Sequence, residues 1–315
     1  MAHKNVLITD YIHPSLLIGL QSIGYKTTYA PEMNRLEMES ILSAYEGVVI
    51  NTRCAINSET ILFAKKLKWI ARLGSGLDII DLDAAQESGI AVMSAPEGNA
   101  QAVAEHAMGM LLCLSNQLLS ADRSMRDGNW LREQHRGWEI AGLTIGIIGY
   151  GNNGSAFARL WKGWDVKVLA FDKYVSGFGN EWVKEVDLET LLKQSDIISL
   201  HIPLTSETKE MINASFLSKC KPGCVLINTS RGKNVDLAAL LVALKSGQLK
   251  GACLDVFPYE PPMNGPEDFQ HCFNELFALD NVVLSPHVAG WTIESKRKIS
   301  EVLLAKIKSF SNLPQ

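Results

Sequence analysis

Short runs of apolar, largely β-branched residues recur along the chain, separated by stretches whose apolar positions fall at helical spacing. The runs at 6–9, 48–51, 69–73, 90–94, 144–148, 167–171, 197–201, 224–228, 251–256 and 282–285 lack the apolar/polar alternation of a strand with one wet face. Strands buried on both faces belong to parallel sheets covered by helices. Their repeated alternation with helical stretches predicts an α/β fold of two doubly wound parallel-sheet domains, one of them a Rossmann fold. Four of the strands precede residue 95 and six follow residue 143. Between them, 99–126 reads as one long Ala-, Met- and Leu-rich helix that Gly128 and Asn129 would stop. A further helix is expected over 292–310, where Ile293, Ile299, Val302, Leu303 and Ile307 recur at roughly helical spacing.

The length of 315 residues agrees with two domains of roughly 100–200 residues each. Thirty basic against 34 acidic residues leave a charge of −4, so no nucleic-acid partner is expected. An acidic small molecule would have to be met by a few placed cations. No apolar run approaches the ~18 residues of a membrane span, and the opening residues lack a secretory signal pattern. A cytoplasmic protein is expected. Its six cysteines sit mostly inside apolar runs, as reduced core thiols do. Cys220 and Cys224 are the only close pair, with no ligand at finger-like spacing beside them, so no metal is expected.

The strongest local signal is Gly149-Tyr150-Gly151-Asn152-Asn153-Gly154, which follows an apolar strand and opens an Ala-rich helix. In that context Gly149 permits a tight turn, Gly151 lets backbone approach a pyrophosphate, and Gly154 lets the helix pack close. The helix N-terminus offers amides and positive dipole to phosphates. The next strand ends in Asp172, placed to accept ribose hydroxyls and to repel a 2′-phosphate. Lys173 beside it blurs that preference. NAD is the expected cofactor.

Three further strands carry polar groups at their C-terminal rims, where an open α/β sheet places its ligands. These are His201 to Thr205, Asn228-Thr229-Ser230-Arg231-Gly232, and Asp255 to Glu260. Arg231 is the least easily read as a turn or cap, because a guanidinium suits bidentate carboxylate recognition. His287 follows the last strand and Pro286. His3, His13, His135 and His271 read as surface or loop residues, and His106 and His201 as packing groups or groups that support the site residues.

Together with the LGSGLD segment (73–78), the 99–106 segment, HIPLTSET (201–208), LDVFPYEPP (254–262) and SPHVAG (285–290), these motifs resemble the D-isomer-specific 2-hydroxyacid dehydrogenase family, in particular its phosphoglycerate-dehydrogenase-like members. The resemblance implies a flavodoxin-like substrate domain (1–97 plus 288–315) and an NAD-binding Rossmann domain (98–287). It implies Arg231 as the carboxylate clamp, His287 as the acid/base and Glu260 as its orienting partner. Ser75 and Gly76 would form an amide nest for the carboxylate, with Arg53 a further anion contact. Thr205, Thr229 and Asp255 would join Gly149, Gly151, Asn152, Asn153, Gly154 and Asp172 in holding NAD. It further implies a homodimer, a small 2-hydroxy or 2-keto acid substrate and, in the resembled subgroup, 3-phosphoglycerate and a place in serine biosynthesis. Arg132 and Arg136 would then meet the phosphate, unless they are a solvated cluster paired with Glu133. No regulatory domain of the kind some members append is expected after the last helix. Asn152, Asn153, Ile79 and Trp291 depart from the family's usual residues. The alternatives are a hydroxypyruvate/glyoxylate reductase, a formate- or phosphite-dehydrogenase-like member, disfavoured by Glu260, and a non-catalytic NAD(H)-sensing protein like the family's corepressors.

Overall fold

The apolar runs become strands of two all-parallel sheets in a computed structural model that describes residues 4–311, which leaves His3 outside the described residues. Two units emerge, one running through Ala100 and resuming at Trp291, the other Gln101–Gly290.

In the first unit, β1 (Lys4–Ile8), β2 (Tyr25–Tyr29), β3 (Gly47–Ile50), β4 (Trp69–Arg72) and β5 (Ala91–Met93) lie in the order β2-β1-β3-β4-β5. That is the flavodoxin-like order. Successive residues of β1 face opposite sides, as a strand requires. Leu7 joins Val48, Ile50 and Ile70 under Met38 of α2 (Arg35–Ile41) and Ile61 of α3 (Ser58–Phe63). Val6 and Ile8 join Val49 and Trp69 on the other side. There α1 (Pro14–Ser22) contributes Leu16 and Leu20, and the chain's last helix, α12 (Ile293–Ser311), contributes Ile299, Leu303 and Ile307. Helix α4 (Leu82–Glu87) completes this unit.

The boundary between the units falls inside α5 (Pro96–Ser115), which is followed by α6 (Leu118–Arg126). The second unit then alternates β6 (Thr144–Ile148), α7 (Asn152–Leu160), β7 (Lys167–Phe171), β8 (Val183–Glu185), α8 (Leu188–Gln194), β9 (Ile197–Leu200), α9 (Ala214–Lys219), β10 (Cys224–Asn228), α10 (Leu237–Lys245), β11 (Leu249–Leu254), α11 (Glu267–Phe277) and β12 (Val282–Leu284). The sheet order is β12-β11-β10-β9-β6-β7-β8. Counted from β6, this is the Rossmann order with one added strand, and its topological switch lies between β6 and β9.

Three expectations from the sequence change. Strands β2 and β8 are additional; both are edge strands, and the residues of β2 are largely polar and half exposed. The single helix over 99–126 is two helices, broken at Gln117 in the left-handed conformation (φ 51°). The cause is local. Ser115 and Asn116 side chains both donate to the Leu112 carbonyl, and Trp138 takes the Ser115 carbonyl that the next helical turn would need. Strand β11 starts at Leu249 and ends at Leu254, leaving Asp255 in the loop beyond the sheet.

Candidate active site

The switch point is occupied by the turn from β6 into α7. Gly149 has φ 91°, and a Cβ there would lie 2.5 Å from the His201 carbonyl oxygen. A Cβ on Gly154 would lie 1.9 Å from the Gly149 carbonyl oxygen, so only glycine lets α7 rest on the turn. Gly151 is different: a Cβ there would meet nothing within 4 Å, and it would point into open space where a ligand could sit. Gly151 also caps α7 without any side-chain hydrogen bond. The amides of Gly151, Asn152 and Asn153 have no acceptor among the described residues, as expected of an uncapped helix start. The buried Oδ1 of Asn153 is likewise without a partner. Open amides, helix dipole and empty space fit a pyrophosphate.

Asp172, just past β7, accepts from the Tyr150 amide (2.7 Å) and from the Tyr174 and Val175 amides (2.8 and 3.0 Å). This pins the acidic residue beside the glycine turn, where an adenosine ribose belongs. The Tyr150 ring stacks on Phe178 at 4.2 Å between centroids. On the other side of the switch, Thr229 is buried and its hydroxyl is without a partner among the described residues. Thr205 is exposed and exchanges hydrogen bonds with Thr208. His201 is a packing group. Its Nε2 meets Ser199 Oγ at 2.9 Å, its ring lies against Phe157, and burial pushes its pKa down to about 3.

Arg231, Glu260 and His287 follow three neighbouring strands, β10, β11 and β12. Asn228 shapes the first loop by accepting from Ser230 through both its amide (3.0 Å) and its hydroxyl (2.7 Å), and by donating to the Arg231 carbonyl (3.0 Å). Gly232 lets this loop press on the next one, since a Cβ there would lie 1.9 Å from the Phe257 carbonyl carbon. His287 Nδ1 and Glu260 Oε2 are 2.6 Å apart, and Glu260 Oε1 accepts from the Phe257 amide at 3.0 Å. Burial raises the Glu260 pKa, but the hydrogen bonds from His287 and Phe257 and the charges of His287 and Arg231 outweigh it and hold the carboxyl below its ordinary value.

His287 adopts φ 55°, a costly conformation for a residue with a Cβ. Asp255 holds it there. The Asp255 carbonyl accepts from the His287 amide (2.7 Å), and its carboxylate accepts from Val288 and Ala289 amides and the Ser285 hydroxyl (2.9, 2.9 and 2.6 Å). His106, on α5, meets Ser285 Oγ at 2.9 Å and the Asp255 carboxylate at 3.5 Å. The expected place of Asp255 in cofactor binding therefore changes. Its side chain is fully buried and engaged in positioning the His287 loop. His106, expected as a packing or supporting group, takes a supporting place, while Ser285 has no signal in the sequence, because residues 179 apart meet only in the fold.

In the first unit, the Ser75 and Gly76 amides have no acceptor among the described residues, as a nest for an anion requires, and Ser75 Oγ donates to Asn99 Oδ1 at 2.6 Å. Arg53 lies among acidic neighbours. Its guanidinium is taken by Glu32 (3.2 Å), Asp10 (3.6 Å) and the Pro31 carbonyl. In the second unit, Arg136 pairs with Glu133 at 2.5 Å, both largely exposed, and Arg132 is exposed as well. Among the described residues no three His, Cys, Asp or Glu side chains gather as a metal site, and no helix is long and apolar enough to cross a membrane.

A switch-point glycine turn with open amides, with Asp172 pinned beside it and an Arg/Glu/His cluster on adjoining strand ends, defines the class of dinucleotide-binding proteins. The family model described as D-isomer specific 2-hydroxyacid dehydrogenase, NAD binding domain, matches residues 108–289, and the chain belongs to this family. NAD is its cofactor. The chain is 37% identical over 304 residues to a D-3-phosphoglycerate dehydrogenase of Archaeoglobus fulgidus, covering 96% of this chain but 56% of that protein. It is also 37% identical over 307 residues to a hydroxypyruvate reductase of Thermotoga maritima, covering 98% of each. Among solved structures, a D-lactate dehydrogenase from Aquifex aeolicus complexed with NAD and lactic acid is similar at a TM-score of 0.85 and 31% identity, over 98% of this chain and 95% of that one.

Proposed function

We propose that the chain interconverts a short D-2-hydroxy acid and its 2-keto acid with NAD(H), and that hydroxypyruvate or glyoxylate is the keto acid. The observation that carries this reading is the 2.6 Å contact between His287 Nδ1 and Glu260 Oε2 beside Arg231. Bound NADH supplies the hydride to C2. With Nδ1–H donated to Glu260, the protonated imidazole presents Nε2–H to the C2 oxygen and the neutral ring can take that proton back. Glu260, an anion at neutral pH, orients the ring and fixes its tautomer through the contact at Nδ1. Arg231 clamps the carboxylate and polarises the carbonyl. Gly151, Asn152 and Asn153 offer amides to the pyrophosphate, and Asp172 accepts from the ribose. Ser75 and Gly76 in the first unit form a nest suited to a carboxylate.

The expectation of 3-phosphoglycerate comes from the resemblance, and it requires cations beyond Arg231 to meet the phosphate. Arg53 is paired with Glu32 and Asp10 and Arg136 with Glu133, which leaves the exposed Arg132 as the candidate to read a phosphate. The likeness to a hydroxypyruvate reductase over 98% of both chains supports the unphosphorylated substrate. A homodimer belongs to this reading, since α6 buries none of its residues and leaves Leu118, Leu119 and Met125 about half exposed. The test is NADH oxidation with hydroxypyruvate, glyoxylate, pyruvate and 3-phosphohydroxypyruvate. Reduction of hydroxypyruvate or glyoxylate with a KM no higher than that of the phosphorylated acid is expected. A much lower KM for 3-phosphohydroxypyruvate restores phosphoglycerate as substrate. NADH binding without turnover of any of the four makes the chain a binding protein.

A further inference from the structure

Lys173 follows Asp172 directly, and a cation next to the ribose carboxylate is the chemistry that accepts a 2′-phosphate. In the fold this lysine is already spent. Its Nζ lies 2.5 Å from Oε2 of Glu207, a residue of the loop that leaves β9 on the far side of the switch point. The Tyr174 hydroxyl donates to the same Glu207 oxygen at 2.8 Å. The segment Lys173-Tyr174-Val175 is thus held twice, through backbone amides by Asp172 and through side chains by Glu207. The paired charges reinforce each other, holding the Lys173 ammonium above its ordinary pKa and the Glu207 carboxyl below its own, in each case chiefly through the hydrogen bond between them.

We propose that Glu207 is a specificity-determining residue for the cofactor, withholding Lys173 from a 2′-phosphate and placing a second carboxylate near Asp172, so that this site takes NAD(H) and rejects NADP(H). Without Glu207 the ribose end would carry one anion and one available cation, a permissive arrangement. With it, the end keeps a net negative charge and no uncommitted ammonium. The inference rests on Asp172 meeting the adenosine ribose.

Both partners are more than half exposed, at 58% for Lys173 and 52% for Glu207, so breaking the pair costs folding little. The test is calorimetric titration of the full chain with ADP-ribose and with 2′-phospho-ADP-ribose. Glu207→Gln should raise the affinity for the phosphorylated ligand relative to ADP-ribose by about three- to ten-fold, the range for an exposed charged contact. Adding Lys173→Ala to that variant should abolish the gain. A ratio unmoved by Glu207→Gln, or a gain that persists without Lys173, overturns the proposal. Asp172→Ala separates the levels of failure. If it shifts the ratio while Glu207→Gln does not, the role of Glu207 alone is wrong. If it shifts nothing, the ribose end lies elsewhere and both assignments fall.

Discussion

The two units are built on the same plan, a parallel sheet with helices on its faces, yet they end their first βα connection in opposite ways. In the first unit α1 is closed: Pro14 stands at its start, where a missing N–H costs nothing, and His13 Nδ1 accepts from the Ser15 amide at 3.3 Å. Asn34, Asn57 and Asp81 close α2, α3 and α4 in the same manner. In the second unit α7 is left open behind Gly151, although Asp187, Asn213 and Asp236 cap its neighbours α8, α9 and α10. A side-chain cap stabilises a helix by about 0.5–2 kcal/mol. The second unit forgoes that at α7, as it does at α6 and α11, and of these it is α7 that leaves the switch-point turn, where unmet amides suit the proposed phosphate site. The histidines divide similarly. His13, the one histidine among the described residues of the first unit, serves a helix end, whereas His287 stands in a strained backbone conformation with a carboxylate at its Nδ1.

The largest effect should come from the histidine that has no counterpart in the first unit. His287→Ala should lower turnover by about 10²–10⁴-fold while NADH still binds, because the acid/base is lost and the helix start is untouched. Steady-state rates beside NADH fluorescence titration separate the two, and full activity in the variant would remove the acid–base assignment.

A paired substitution at the helix starts would break the comparison more directly. Gly151→Ser supplies a cap at a position with ordinary backbone and open space. It should leave Tm unchanged or slightly raised, since serine for glycine at this position is worth only a few tenths of a kcal/mol. NADH affinity should nonetheless fall by at least about ten-fold, as the new side chain enters the pyrophosphate's space and satisfies its amides. His13→Ala should do the reverse, costing roughly 0.5–1 kcal/mol of stability with NADH affinity unmoved. Equal NADH affinity in Gly151→Ser and the parent would show that the open helix start is not the phosphate site.

The same contrast explains what was legible in the sequence. Central strands such as β3 and β10 are buried along their whole length, so apolar runs announce them. The edge strand β2 shows a largely polar face to water and leaves no such trace, and β8, Val183-Lys184-Glu185, has a single apolar residue. The residues that form the site were readable because glycine spacing and strand-end position are local features. The side chains that hold them were not. Nothing near Asp255 in sequence announces that it will meet the Val288 and Ala289 amides and His106, and nothing near Arg53 announces Glu32 and Asp10. Glu207, too, becomes visible only when the β9 loop is set beside the end of β7.

The smallest effect at neutral pH is expected inside the acid–base pair. Glu260 is held below the ordinary carboxyl value of 4.5. A carboxyl depressed on folding contributes stability that is present above its unfolded value and lost as pH falls through the folded one. Between pH 5 and 9 the residue therefore stays an anion and does not itself titrate. Glu260→Gln keeps an acceptor for the His287 Nδ1–H but removes the charge that favours the protonated ring. Keto-acid reduction needs that proton, so the alkaline limb of the reduction profile should move to lower pH. Near pH 6.5 the loss should be modest, and it should widen as the pH is raised. Hydroxy-acid oxidation needs the neutral ring, so its acidic limb should move to lower pH as well, leaving the variant comparatively better at oxidation in mildly acidic solution. Rates measured in both directions across this range decide the matter. If both profiles keep their positions in Glu260→Gln, the 2.6 Å contact holds the ring in place without tuning its proton.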